Sequence, residues 1–325
     1  MAERVLVTGG AGFIGSHLCE ALVARGDEVI AFDNLSTGSR SNLGALEGES
    51  RFRLIEGDVL DAGAVVDAVR GCRRVYHLAA AVGVKLVMER AISTIITNTR
   101  GTEHVLEACA GAGGRVLLAS SSEVYGKMGS AQAHPLAEGD DWRLGATSMR
   151  RWCYACTKAI DEFLALAYRD ERGLEVVVAR LFNTVGPRQT GQYGMVLPTF
   201  VRQALAGQPL TVYGDGSQSR SFTYVGDVVD ALVALMSEPR AIGEVFNIGS
   251  TYEISITDLA ERVVRLTDSR SPIHFIPYDE AYEAGFEDMP RRVPNITKIR
   301  ELLGFHPKVE LDDIIRSVID YMRQH

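Results

Sequence analysis

The 325-residue sequence predicts an α/β protein built on a doubly wound parallel sheet, with a smaller mixed α/β unit toward its C-terminus. Three observations predict it. Short apolar runs alternate with helical patterns through the first half of the chain. The runs Val29-Ile30-Ala31-Phe32 and Val116-Leu117-Leu118-Ala119 are apolar at every position, as parallel strands covered by helices on both faces must be. Finally, Arg4-Val5-Leu6-Val7-Thr8 runs straight into Gly9-Gly10-Ala11-Gly12-Phe13-Ile14-Gly15, a glycine turn between strand and helix.

That turn states a ligand in backbone terms. Glycine is required where φ is unusual, or where a Cβ would hold the chain away from a pyrophosphate. The helix that follows, residues 16–25, opens with unpaired N–H groups and a partial positive charge, which suit phosphates. A second strand, 28–32, leads to Asp33. A carboxylate there accepts hydrogen bonds from adenosine ribose hydroxyls and repels a 2′-phosphate, so a Rossmann-type site for NAD rather than NADP is expected. Strands at 52–56, 75–78, 115–119 and 175–180 and helices at 62–69, 87–110 and 147–172 complete the alternation. It implies right-handed crossovers and a ligand at the carboxyl ends of the strands. Residues 121–144 read as a long loop, a functional wall or lid.

After residue 180 the alternation loosens. A Gly/Pro-interrupted loop at 183–193 precedes helix 197–206, strand 210–213, helix 225–236 and strand 245–248. Helix 256–267, strand 273–277 and helices 298–303 and 311–322 follow. The expected division is a dinucleotide-binding unit of residues 1–180 and 221–248, and a substrate-binding unit of residues 181–220 and 249–325.

Composition narrows the class. With 46% hydrophobic residues and a net charge of −8, the chain reads as globular, without a global field to attract nucleic acid. No apolar run reaches the length of a membrane span, and the first strand opens at Arg4, so a cytoplasmic location is expected. The odd set Cys19, Cys72, Cys109, Cys153 and Cys156 reads as reduced thiols. Cys153-Tyr154-Ala155-Cys156 has redox spacing but lies in a helical pattern, and His17, His77, His104 and His134 are scattered, so no metal is expected.

The chemistry concentrates at Tyr154-x-x-x-Lys158. At this helical spacing the two side chains share a face, and the ammonium is expected to lower the phenol pKa. Such a tyrosine takes a proton from a sugar hydroxyl while hydride leaves the same carbon. Upstream, Ala119-Ser120-Ser121-Ser122-Glu123 closes a strand with hydroxyls at the same edge, and Asp58-Val59 follows the third strand as a contact for the adenine edge.

These residues resemble the extended short-chain dehydrogenase/reductase family, in its NAD-dependent nucleotide-sugar branch of epimerases, decarboxylases and dehydratases. The resemblance covers nearly the whole chain. It includes the glycine turn, His77-Leu78-Ala79-Ala80, Ser121-Ser122-Glu123-Val124-Tyr125-Gly126 and Tyr154-x-x-x-Lys158. It continues through Arg180-Leu181-Phe182-Asn183-Thr184-Val185-Gly186-Pro187-Arg188 and Gly214-Asp215-Gly216-Ser217-Gln218-Ser219-Arg220. The resemblance implies a catalytic set of Tyr154, Lys158, Ser121, Ser122 and Glu123, with Ser121 bonding the reacting hydroxyl and Lys158 also holding the nicotinamide ribose. Gly9, Gly12, Phe13, Ile14, Asp33, Asn34, Ser36, Thr37, Gly38, Asp58, Val59, Leu78, Ala79, Ala80 and Asn98 would line a tightly held NAD, with Tyr154 and Lys158 at its reacting end. Lys85, Asn183, Arg188, Val212, Tyr213, Arg220 and Arg292 would meet a UDP-sugar, the arginines presenting planar forks to its anionic groups. Helices 87–110 and 147–172 would pair in a homodimer.

Each branch begins by oxidising C4 of the sugar. Dehydratases of this resemblance carry an Asp-Glu pair where this chain has Ser122-Glu123, which argues against them. Ser-Ser-Glu matches the uronate decarboxylases, and Arg188 is placed to grip a uronate carboxylate. Residues 189–198 and the 278–292 segment look more like epimerases, and Lys85 sits where neutral-sugar 4-epimerases place a lysine. The sequence thus favours 4-epimerisation of UDP-glucuronate to UDP-galacturonate. Its alternatives are decarboxylation of UDP-glucuronate to UDP-xylose and 4-epimerisation of UDP-glucose. A dinucleotide-sensing protein on the same fold is the reading from another class.

Overall fold

The computed structural model describes residues 2–127, 134–191, 194–281 and 289–325, without the side chains of residues 84, 85, 279 and 281. Six strands come first: β1 (Arg4–Thr8), β2 (Glu28–Asp33), β3 (Phe52–Glu56), β4 (Arg74–His77), β5 (Arg115–Ser121) and β6 (Glu175–Leu181). Short strands β7 (Thr184–Val185), β8 (Leu210–Tyr213), β9 (Ser219–Ser221) and β10 (Thr223–Tyr224) follow. After them come β11 (Val245–Ile248), β12 (Glu253–Ser255), β13 (Ile273–Ile276) and β14 (Arg291–Arg292). The helices are α1 (Phe13–Ala24), α2 (Ala62–Val69), α3 (Val84–Glu89), α4 (Ala91–Ala112), α5 (Trp152–Arg172) and α6 (Val196–Leu205). The remainder are α7 (Val225–Ser237), α8 (Ile256–Leu266), α9 (Tyr278–Ala281), α10 (Thr297–Leu303) and α11 (Leu311–Gln324).

The central sheet is parallel throughout, in the order β11-β6-β5-β4-β1-β2-β3. This is the doubly wound sheet that the alternating pattern predicts. Val116, Leu117 and Leu118 of β5 and Val176, Val177, Val178 and Ala179 of β6 are fully buried. Such strands are covered on both faces. α1 and α7 pack on one face through Leu18, Leu22, Val228 and Leu232. α2, α4 and α5 cover the other through Val65, Val105, Leu106 and Ala165. Strand order reverses between β1 and β4, which makes the carboxyl ends of these strands the switch point where sheets of this kind take a ligand.

A third core joins α6, α8 and α11 through Leu197, Phe200, Leu259, Val263, Ile315 and Val318. Beside it β9 pairs antiparallel with β12 and parallel with β14. That register sets Arg292 opposite Arg220. No helix of the described residues is long and apolar enough to cross a membrane.

The helix expected at 16–25 begins three residues earlier, at Phe13, and two further helices differ more. The 87–110 helix is two helices, because Arg90 leaves helical geometry (φ −134°, ψ 48°) and its carbonyl restarts the chain as the cap of α4. The 147–172 helix begins only at Trp152. The preceding residues form turns, with the Met149 N–H donating to the Ala146 carbonyl. Leu144 and Met149 instead pack on Trp152, Ala155 and Met289.

Candidate active site

Gly9 has φ +71°, and a Cβ on it would lie 2.8 Å from the Ala79 nitrogen. The loops after β1 and β4 therefore touch at the switch point only because this residue is glycine. A Cβ on Gly15 would lie 2.0 Å from the Gly9 carbonyl oxygen, which forces glycine where α1 turns back over the loop. The cap of α1 is Gly12, which offers no side-chain oxygen, and the first turn, beginning Phe13-Ile14, holds no acidic residue. The leading N–H groups are thus left for an anion.

Asp33 fits a ribose. It is buried, with Oδ2 accepting from the Ala11 N–H at 2.9 Å and Oδ1 from the Leu35 N–H at 2.8 Å. Each oxygen keeps a further lone pair for a hydroxyl donor. Burial raises its pKa, and the two N–H donors oppose that shift. Asn34 donates to Asp58 at 2.9 Å and accepts from the Ser36 N–H at 3.0 Å, shaping the turn that runs on through Thr37 and Gly38. Val59 is buried against Gly101. Asn98 bonds both ways with the Ala81 backbone, at 2.8 and 3.3 Å, and donates to Thr157 at 3.1 Å. It holds in place the segment that carries Leu78, Ala79 and Ala80. These features fit a dinucleotide.

The helix α5, which carries the expected Tyr154 and Lys158, meets the end of β5. Tyr154 and Lys158 are buried on one face of α5. The Lys158 ammonium donates to the Ala119 carbonyl at 3.1 Å and pairs with Asp161 at 3.3 Å. The expected drop in the phenol pKa is absent. Burial and the carboxylates of Glu123 and Asp161 raise the Tyr154 pKa, against the pull of the Ser121 hydroxyl and Arg292. Spacing predicted the lysine's face of the helix, but burial first and the neighbouring carboxylates second set the direction of the phenol's shift.

After β5, Ser122 and Glu123 enter a buried 3-10 turn that starts with the Ser121 hydroxyl accepting from the Glu123 N–H at 3.2 Å. Glu123 lies between two guanidinium groups: Arg151 reaches Oε2 at 2.9 Å, and Arg292 pairs with Oε1. Burial alone would push the Glu123 carboxyl up, but Arg151 and Arg292 outweigh it and hold it down at about 2. Arg292 also donates to Asn183 Oδ1 at 2.7 Å, and Asn183 donates to the Ser221 carbonyl at 2.8 Å. Arg151 was not among the expected site residues. Its place three residues before Tyr154, one turn away on the same face, is the signal that identifies it.

Other expected residues stand elsewhere. Arg188, with φ +70°, donates to Ser16 at 3.2 Å and pairs with Glu20 at 2.6 Å. It is committed to α1 rather than free for a uronate carboxylate. Val212 is fully buried in the third core, because alternate residues of β8 face opposite ways. Of that pair, Tyr213 keeps 37% exposure. Arg220 is buried and donates to the carbonyls of Ser219 and Met289 at 2.8 and 2.7 Å. Lys85 lies in α3, but its side chain is outside the described residues, as are Gln192, Tyr193 and residues 282–288.

The chain is 43% identical over 325 residues to a UDP-N-acetyl-alpha-D-glucosaminuronate decarboxylase of Bacillus cytotoxicus, covering 100% of this chain and 99% of that one. A UDP-glucuronic acid decarboxylase 1 of Danio rerio is 40% identical, over 98% of this chain and 72% of its own. The fold superposes with a TM-score of 0.89 on a UDP-glucuronic acid 4-epimerase from Bacillus cereus solved with UDP-glucuronic acid and NAD, at 30% identity and 99% coverage of both chains. Residues 5–249 match the model of the NAD dependent epimerase/dehydratase family. On its glycine cradle, its Tyr154–Lys158 helix and this match, the chain belongs to that NAD-dependent family.

Proposed function

We propose that the protein decarboxylates a UDP-linked hexuronate by way of a 4-keto sugar. The observation that carries this reading is full-length likeness, at 43% identity, to a protein named as a UDP-uronate decarboxylase. Relatives at 40% identity named as UDP-glucuronic acid decarboxylases support the same reaction. They reverse the preference drawn from the sequence, in which epimerisation came first and decarboxylation second.

NAD, held by the glycine turn and Asp33, would supply the hydride acceptor for C4 and the hydride for the later reduction. Tyr154 takes the C4 hydroxyl proton while Ser121 hydrogen-bonds the same oxygen. The product of that step is a β-keto acid, which loses CO₂ when its carboxylate stands perpendicular to the carbonyl plane. Glu123, kept anionic by Arg151 and Arg292, would repel a substrate carboxylate out of that plane. Charge then develops on the C4 oxygen, where the protonated Tyr154 and the Ser121 hydroxyl donate to it. A solvent proton enters at C5, the ketone is reduced, and Tyr154 gives back its proton. Because the sequence is redox-neutral, NAD is expected to stay bound throughout.

Epimerisation is the second reading, favoured by the Bacillus cereus structure and by the 189–198 segment. Incubating the protein with UDP-glucuronate and with UDP-N-acetylglucosaminuronate separates the two. Release of CO₂ with a UDP-pentose or its N-acetylamino counterpart is expected. A UDP-galacturonate-type product without CO₂ overturns the proposal.

A further inference from the structure

Asp161 is a buried carboxylate that the proposed chemistry does not use. Its side chain is 0% exposed, one turn beyond Lys158 on α5, with Oδ2 3.3 Å from the Lys158 ammonium. Its Oδ1 is buried without a hydrogen-bond partner. Burying a carboxylate so incompletely satisfied is unfavourable for folding, so a structural purpose alone explains it poorly. Lys158, Tyr154 and Glu162 face it from its own helix. Thr102 faces it from α4, and the Thr102 hydroxyl also meets Nε2 of His77 from β4 at 3.1 Å. Burial and the nearby Lys158 hold His77 neutral, with its pKa down at about 3. Across Tyr154 stand Glu123 from the turn after β5 and Arg292 from β14.

We propose that Asp161 is a positioning residue for the Tyr154–Lys158 pair: it anchors the lysine ammonium and sets a negative charge beside the phenol, and so fixes the pH above which Tyr154 acts as a base. Burial raises the Asp161 carboxyl to about 6, with Lys158 pulling it down. Above that pH its charge opposes phenolate formation at Tyr154. Neutralising Asp161 therefore makes the phenol more acidic.

The test is Asp161→Asn in the NAD-loaded protein. The rising limb of kcat/KM against pH should move down by about 0.5–1 pH unit. The proposal rests on Tyr154 being the base, so a readout without turnover is needed as well. The tyrosinate ultraviolet transition of Asp161→Asn, taken as the difference from Asp161→Asn/Tyr154→Phe, should move down with the limb. If Asp161→Asn does not fold, Thr102→Val serves instead. It removes a hydroxyl that lowers the Asp161 carboxyl and should produce a smaller shift in the same direction. Lost stability with both transitions unmoved, or moved upward, overturns the role of Asp161. An active Tyr154→Phe enzyme would overturn the assignment of the base instead.

Discussion

Glu123 and Arg292 stand 169 residues apart in the chain and form one partly buried ion pair. Arg151 closes on the other carboxylate oxygen at 2.9 Å. The pair ties the turn after β5 to β14, and through Asn183 to the segment after β6. Three separated parts of the chain thus meet beside Tyr154.

Acid should weaken this junction. The Glu123 pKa is lowered from 4.5 to about 2, so its contribution is fully present above pH 4.5 and lost as pH falls toward 2. That window is worth on the order of 3 kcal/mol. Denaturant midpoints of wild type and Glu123→Gln, measured across it, should converge as the pH falls. Glu123→Ala, which takes the carboxylate from the buried Arg151 and the partly buried Arg292, should cost about 3–5 kcal/mol near neutral pH.

Tyr154→Phe should lower kcat by roughly 10²–10⁴-fold. NAD should still co-purify, because the cradle of Gly9, Gly12 and Asp33 is untouched. The cofactor content after denaturation and the turnover rate check the two halves separately.

Arg188→Ala tests a side chain that pairs with α1. Because Arg188 holds Ser16 and Glu20, its loss should weaken NAD retention. The ratio of turnover on a UDP-uronate to that on UDP-glucose should stay within about threefold, less than the loss of a direct charge contact would produce. A selective collapse of uronate turnover would restore the carboxylate-gripping role expected from the sequence.

Ile92 and Ile95 on α4 and Ile160 and Phe163 on α5 are exposed, Phe163 at 66%. We propose that this apolar surface pairs with a second copy across the α4–α5 face. Phe163→Glu should then convert a dimer to a monomer by light scattering, with the far-ultraviolet circular dichroism unchanged.

Much of the fold was legible because its signals are local. The apolar runs that became β2, β5 and β6 alternate with helices on a fixed period. Strand 52–56, helix 62–69 and strand 245–248 have the predicted bounds. The break at Arg90 was not legible, since helical periodicity continues across it and only backbone dihedrals reveal the restart. Val212 shows the same limit on a strand, where naming a motif does not say which way a side chain points.

The sequence by itself determined the cofactor cradle and the Tyr154–Lys158 face. Glycine geometry and the spacing of residues within one helix are properties of short segments. Only the tertiary structure decided that Arg151 and Arg292 enclose Glu123, that Arg188 turns to Glu20, and that Lys158 is anchored by Asp161 and Ala119. Each of these depends on which charges burial brings together. In a low-dielectric interior, the nearest partners and the cost of desolvation determine what each group does.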